Sequence, residues 1–240
     1  MTGQINLLSI IIPAFNEEKT IVSVLEKISC VNLGKINKEV IIINDHSTDN
    51  TADVVEQYIK EKPSENIRLF THEKNSGKGN AIHTGIKYSS GDILIIQDAD
   101  LEYDPEEYQR MIKPINNGFA DVVYGSRFMG SNPHRILFFW HTVGNRWLTF
   151  LSNVFTNLNL TDMETGFKSF RAEIIKNIKL KEKRFGFEPE VTAKVSKIPG
   201  IRIYEVGISY YGRRYEEGKK INWKDGLHAM YCILRYNIFR

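Results

Sequence analysis

Short, wholly apolar runs alternate with amphipathic stretches through the first half of the chain. The runs 7–12, 40–43, 67–70 and 93–96 are too short for buried helices and rich in β-branched residues, so they read as buried strands. Between the first two, Ile21, Val24, Leu25 and Ile28 recur at helical spacing within 17–28, and helices are also expected over 51–60 and 78–89. Strands and helices in this alternation build βαβ units, hence an α/β fold with a mostly parallel central sheet flanked by helices. Beyond 121–125 the pattern loosens. Gly130, Asn132 and Pro133 mark a loop near the site, and a strand-like pair is expected within 201–211. No repeat or low-complexity linker interrupts the chain, so one domain over 1–240 is expected, with a soft functional boundary between 1–129 and 130–240.

In an open parallel sheet, ligands collect beyond the carboxyl ends of the strands. This chain puts polar residues there three times: Asn16 and Glu17 after the first run, Asp45 after the second, Asp98 and Asp100 after the fourth. Hard divalent cations take oxygen ligands and, in nucleotide sites, use one or two carboxylates plus substrate phosphates. Asp98 and Asp100 around the small Ala99, with Glu102 two residues on, suit that need. A helix cap is the bland alternative for Asp49, and also for Asp100 ahead of the short helix suggested by Asp104, Pro105, Glu106 and Glu107. Lys78, within Asn75-Ser76-Gly77-Lys78-Gly79-Asn80, opens a helix after a glycine-flanked turn and can meet a phosphate or a nucleobase edge. The spacing is not that of a P-loop.

Composition narrows the classes. The 240 residues are 42% hydrophobic and 25% charged with a net charge of +3, which is globular and exerts no strong general pull on nucleic acid. Cys30 and Cys232 are far apart and follow no metal-ligand spacing, so reduced thiols are expected rather than a disulfide framework or a zinc site. No secretory signal is visible, and a cytoplasmic location is expected. The greasy stretch 136–155 is broken by His141, Asn145, Arg146 and Asn153 and does not read as a membrane span. It does interleave Phe138, Phe139, Trp140, Trp147 and Phe150 with polar groups. The C-terminus likewise sets Trp223, Tyr231, Ile233, Leu234, Tyr236, Ile238 and Phe239 beside Arg235 and Arg240. Such stretches suit amphipathic helices lying in a membrane interface, a core helix or dimer face being the alternative.

Four segments together resemble the inverting family-two glycosyltransferases: Pro13-Ala14-Phe15-Asn16-Glu17-Glu18, Asn44-Asp45-His46-Ser47-Thr48-Asp49, the turn 75–81, and Gln97-Asp98-Ala99-Asp100. The nearest likeness is to the dolichyl-phosphate mannosyltransferase-like enzymes, which glycosylate polyprenyl phosphates, and it spans nearly the whole chain. This resemblance implies a GT-A fold and a donor half at 1–129 in which Pro13, Ala14, Phe15, Glu17 and Ile43 line the base and ribose. Asp45 would hydrogen-bond the base, and Lys78, Asp98, Ala99 and Asp100 would hold ribose and diphosphate. Mg²⁺ or Mn²⁺ would sit on Asp98, Asp100 and Glu102. In the acceptor and membrane-interface half, Gly125-Ser126-Arg127-Phe128 is similar to a segment whose arginine reaches phosphates. The stretch 162–168 looks like an acidic and Thr-Gly acceptor turn. Arg213-Arg214-Tyr215-Glu216-Glu217-Gly218-Lys219 is similar to a basic loop that closes over the phosphates, implicating Arg213 and Lys219. His46 stands where the family carries glycine, and Glu102 where glutamine is frequent.

The implied reaction moves mannose or glucose from a nucleotide diphosphate sugar to a polyprenyl phosphate, with inversion, at the cytosolic face of a membrane. A phosphate monoester is already ionised at neutral pH, so it needs no strong general base. A sugar-hydroxyl acceptor would need one, and Asp162, Glu188 and Glu190 are the candidates. A non-catalytic nucleotide-sugar-binding regulator is the alternative from another class. A membrane partner protein or a homo-oligomer is compatible with the pattern.

Overall fold

The computed structural model describes residues 5–130, 135–136, 138–212 and 223–239. The apolar runs form β1 (Leu7–Ala14), β2 (Asn37–Asn44), β3 (Ile67–Thr71) and β4 (Ile93–Ile96), connected by α1 (Ile21–Cys30), α2 (Thr51–Glu61) and α3 (Lys78–Tyr88). A 3-10 turn at Pro105–Glu107 leads into α4 (Tyr108–Asn116) and β5 (Val122–Ser126). Then follow α5 (Phe139–Thr156), β6 (Lys168–Arg171), α6 (Ala172–Lys176), α7 (Phe187–Val195), β7 (Ile203–Gly207) and α8 (Trp223–Ile238). One sheet of seven strands runs in the order β3-β2-β1-β4-β6-β5-β7, and only β6 lies antiparallel to its neighbours.

The strands are apolar along their whole length because both faces are covered. Side chains alternate across a strand, so Ile10, Ile12, Val40, Ile42, Ile93 and Ile95 enter a core shared with α1, α2 and α4. Ile11, Leu94 and Ile96 point the other way, to a core shared with α3, α7 and α8. The chain builds outward from β1 to β3 and then returns to the opposite side of β1 with β4. At that reversal the carboxyl ends of β1 and β4 are adjacent and the connections leaving them diverge, which opens the crevice.

Three expectations change. The strand β6, Lys-Ser-Phe-Arg, went unpredicted because two of its four residues carry charge, yet it is buried in the middle of the sheet. The strand-like pair within 201–211 is one edge strand, β7, parallel to β5. The 3-10 turn is capped by Asp104, whose carboxylate accepts the amide of Glu106 at 3.2 Å, so Asp100 is not its cap. Asp49 does serve the start of α2, accepting the Thr51 amide at 3.0 Å. Cys30 and Cys232 are free thiols. No helix among the described residues is long and apolar enough to cross a membrane.

Helix α3 lies so close to β1 that a Cβ built on Gly85 would stand 2.3 Å from Ile11 Cγ2. Overpacking of this kind typically costs about 1–3 kcal/mol. Gly85→Ala should therefore lower the unfolding free energy by an amount in that range, read as a lower urea midpoint at an unchanged m-value.

Candidate active site

The carboxyl ends of β1 and β2 are in register, Pro13 opposite Ile43 and Ala14 opposite Asn44. Ile43 is fully buried against Ala81 and Phe70, so its side chain packs the core and does not line a base pocket. Glu17 is anchored at its amide by Thr51 Oγ1 (2.8 Å), and its carboxylate accepts from Thr20 Oγ1 (2.9 Å). Asp45, buried, accepts the amides of Ser76 (2.9 Å) and Gly77 (2.6 Å) and meets His72 Nδ1 at 2.7 Å. A carboxylate offers about four lone-pair positions, and three are engaged within the protein. The structure thus gives Asp45 a clamping role on the 75–79 turn that residue order did not reveal.

That turn delivers Lys78 to the start of α3. Its ammonium lies 2.6 Å from Asp98 Oδ1 and 3.8 Å from Glu188 Oε1. Burial opposes the charge, but the two carboxylates outweigh it, and Lys78 holds its proton more tightly than a free lysine. The 162–168 turn closes over this pair. A Cβ on Gly166 would stand 2.6 Å from Asp98 Oδ2 and 3.1 Å from Lys78 Nζ, so any larger residue there would displace the ends of this ion pair.

Ala99 is buried behind the acids. Asp100 Oδ1 accepts the Glu102 amide at 3.1 Å across Leu101, whose φ of 62° is left-handed. A bulky residue held there costs on the order of 1–3 kcal/mol, a strain typical of functional turns. Glu102 is drawn toward the far edge of the sheet, where its Oε2 accepts from the Tyr210 hydroxyl at 2.8 Å and its carbonyl from the Tyr211 amide at 2.9 Å. In consequence the oxygens of Asp98, Asp100 and Glu102 do not gather within 4.8 Å of one another. The three-carboxylate cluster expected from spacing is split, with Asp98 held by Lys78 and Glu102 by Tyr210.

Deeper in, Arg127 grips the fully buried Asp162 with Nε at 2.7 Å and Nη2 at 2.8 Å. Glu205 accepts the amides of Thr161 and Asp162, fixing that segment. Asp162 and Glu190 are therefore poor general bases: the first is locked by Arg127, the second by the amides of Lys181 and Glu182 and the ammonium of Lys194. Glu164 is the unusual acid. Burial, then Glu188 and more weakly Asp162, push its carboxyl up to about 8 against the opposing pull of Lys168 and Arg127. Its Oε1 is buried without a hydrogen-bond partner among the described residues.

On the outer side of Arg127 a pocket of about 180 Å³ is lined by Arg127, Phe128, Arg135, Ile136, Thr142, Arg146 and Tyr210. The Arg127 guanidinium lies 5.3 Å from the Tyr210 ring centre, and Arg127 and Arg146 each lie 5.8 Å from that of Phe128. The pocket is smaller than the roughly 300 Å³ of a site that encloses a whole drug-sized ligand, and it suits an anionic headgroup. Arg213 and Lys219, expected to close over phosphates, lie outside the described residues.

The sequence matches Glycosyl transferase family 2 over residues 9–179, from β1 through α6. The chain belongs to that family. Among relatives of this transferase, the UDP-N-acetylglucosamine–dolichyl-phosphate N-acetylglucosaminyltransferase of Methanococcus voltae is 30% identical over 95% of each chain. A dolichol-phosphate mannosyltransferase of Pyrococcus furiosus is 26% identical over 89% of this chain and 60% of its own. In structure, glucosyl-3-phosphoglycerate synthase from Mycobacterium tuberculosis, solved with Mn²⁺, UDP and phosphoglyceric acid, superposes with a TM-score of 0.74. It is 19% identical and covers 98% of this chain and 80% of its own, which establishes the shared GT-A fold.

Sequence reasoning singled out Asp98, Asp100 and Arg127 but missed Arg135, Tyr210 and the tie from Glu188 to Lys78. Arg146 was read as a polar neighbour of the aromatics in 136–155 and not as part of a pocket. Its spacing among exposed aromatics on one helix was the available signal.

Glu164 supplies a test. An unfolded chain releases this proton near 4.5, the folded one near 8. Between those values folding retains a proton that unfolding gives up, so raising pH favours unfolding. Lys168, lowered by burial to about 8, stays protonated in both states through the lower part of that window and begins to titrate only at its upper end. Glu164→Gln should therefore remove a downward slope in stability between pH 5 and 8, worth at most about 1.4 kcal/mol per pH unit. Urea unfolding of both proteins across that range measures the difference, and parallel curves would exclude the elevated carboxyl.

Proposed function

We propose that this transferase moves a hexose, mannose or glucose, from a nucleoside diphosphate donor to a polyprenyl phosphate at a membrane surface, with inversion at the anomeric carbon. The observation that carries this reading is the arginine pocket opening directly onto the bare apolar face of α5. Helix α5 is apolar on two sides. Leu148 and Leu151 pack inward beside the buried Thr149 and Ser152, whereas Trp140, Val143, Trp147, Phe150 and Val154 form an exposed stripe, Trp140 being 79% accessible. Ile136 of the pocket rim is 85% accessible, and Phe138 and Phe139 follow it. An anion site that shares its rim with such a surface suits a phosphate carried on a lipid, because the headgroup and the tail each meet their own chemistry. The relatives named for dolichyl phosphate support the same acceptor.

For the metal, the donor set is all oxygen, as Mg²⁺ and Mn²⁺ require. An ammonium already occupies a cation position against Asp98. Asp98 and Asp100 are the residues to hold the ion, since one or two carboxylates plus the donor phosphates suffice. When bound there, such an ion would offset charge building on the departing nucleoside diphosphate. The chain's own part is to hold the acceptor phosphate between Arg127, Arg135 and Arg146, already ionised and aimed at the anomeric carbon. Lys78 steadies Asp98, and the 162–168 turn excludes water above them. With Asp162 and Glu190 both tied, the hydroxyl-acceptor alternative lacks two of its three candidate bases.

A transfer assay crossing GDP-mannose and UDP-glucose with a short polyprenyl phosphate, with and without Mg²⁺ or Mn²⁺, tests this directly. We expect metal-dependent transfer to the lipid phosphate and none to the matching polyprenol. Transfer to a sugar hydroxyl alone would refute the acceptor assignment. Arg146→Ala should lower kcat/KM for the lipid about ten- to a hundredfold, the worth of a charge-assisted contact, chiefly through KM. Asp100→Ala should abolish the metal-dependent rate. The paired change Trp140→Ser and Trp147→Ser should release the protein from sedimenting vesicles while leaving the circular dichroism intact.

A further inference from the structure

A second cluster lies away from the donor and acceptor residues, under α8. His228 and Cys232 stand four residues apart on that helix and so share one face. Glu182 approaches them from the segment between α6 and α7. The His228 Nε2 atom is 2.8 Å from Glu182 Oε2 and 3.4 Å from Cys232 Sγ, and the three ligand atoms lie within 4.8 Å of one another. We propose that Glu182, His228 and Cys232 form a binding site for one zinc-type dication that fastens α8 to the segment supporting the donor turn.

Four features point the same way. One nitrogen, one oxygen and one sulfur converge on a common point, and this is the mixed donor set that suits a borderline-soft ion. Bond lengths of a tetrahedral zinc centre give ligand-to-ligand edges of roughly 3.4–3.6 Å. The sulfur–nitrogen edge already matches, and the nitrogen–oxygen edge opens by roughly 0.6 Å when an ion replaces the shared proton. An outer shell is present: the Tyr236 hydroxyl donates to Glu182 Oε1 at 2.6 Å, orienting the carboxylate through its other oxygen. Space is kept as well, since a Cβ on Gly186 would stand 2.7 Å from Glu182 Oε2 and 2.8 Å from Cys232 Sγ. Cys232 is buried while His228 is exposed, so an ion enters past the imidazole and a water completes the fourth position. Binding releases the thiol proton to solvent.

The site reaches the donor turn through backbone. The carbonyl of Lys183, next to Glu182, accepts the Asn80 amide in the first turn of α3 at 3.0 Å. An ion on Glu182 therefore braces the segment against which the Lys78 helix start rests. The sequence concealed this because neither cysteine has a metal-like partner in Cys spacing; the helical His-to-Cys interval becomes meaningful only once Glu182 arrives from another element.

The test uses Co²⁺ as a spectroscopic probe on the full chain, stripped with chelator and kept reduced. One equivalent should produce tetrahedral visible bands and a near-ultraviolet thiolate-to-cobalt band, both displaced by Zn²⁺. These should persist in Asp100→Ala, which disables the donor-side carboxylates, and in Cys30→Ser, which removes the other thiol. Cys232→Ser should abolish the thiolate band. His228→Ala, at an exposed position that spares the core, should weaken binding by more than the roughly tenfold that losing an outer-shell partner costs. Zn²⁺ should raise the Tm of the wild type and not of His228→Ala. Absence of a thiolate band at one equivalent, its survival in Cys232→Ser, or undiminished affinity in His228→Ala would each overturn the proposal.

Discussion

The ion pair between Lys78 and Asp98 joins the parts of the molecule that would otherwise only neighbour one another. Lys78 begins α3 after β3, Asp98 ends β4, Glu188 opens α7, and Gly166 belongs to the turn before β6. A buried ammonium cannot be left with one partner missing without a cost of about 3–5 kcal/mol. The positions of four separate segments are thereby tied to one charge. Asp45 works one step behind, gripping the amides of Ser76 and Gly77 so that the turn presents Lys78 at all.

Around that pair the interior carries more acid than base. Asp98, Asp162, Glu164 and Glu188 face Lys78, Arg127 and Lys168, and the carboxyl with the least local compensation keeps its proton. Glu39, another buried acid, shows the contrast. Burial opposes its charge, but Ser9, Ser90 and Arg68 surround it with donors and hold its carboxyl below the usual range. It lies at the opposite end of the sheet and braces structure. Burial alone therefore does not distinguish a functional acid here; the number of donors aimed at it does.

The first half of the chain was legible because its signals are local. A parallel strand covered on both faces is uniformly apolar, and polar residues at its carboxyl end have few other uses, so Glu17, Asp45, Asp98 and Asp100 could be located from residue order alone. What each does could not, because that depends on partners distant in sequence: Tyr210 for Glu102, Lys78 for Asp98, the 75–77 amides for Asp45. β6 was hidden for a related reason. Lys168 and Arg171 are charged residues in a central strand, tolerated because Lys168 lies over the Tyr124 ring and donates to the Thr165 carbonyl, and Arg171 reaches the carbonyl of Ile115. No windowed pattern anticipates such neutralisation.

Helix α5 carries an exposed apolar stripe besides its packed one, and the addition has a geometric consequence. An amphipathic helix in a globular domain turns its apolar stripe inward, as Leu148 and Leu151 do here, and hydrogen bonds between Asn153 and Leu160 and from the Met163 amide to Thr149 fasten the same face. Those bonds fix the helix to the 160–163 segment, which also carries Asp162 and through it Arg127. The exposed aromatic face and the arginine pocket are therefore held in one rigid relation. Whatever plane the aromatics settle into also sets the depth at which the arginines meet an anion. Under the proposed lipid-phosphate reading, an acceptor arriving at that depth would need no further positioning along the membrane normal.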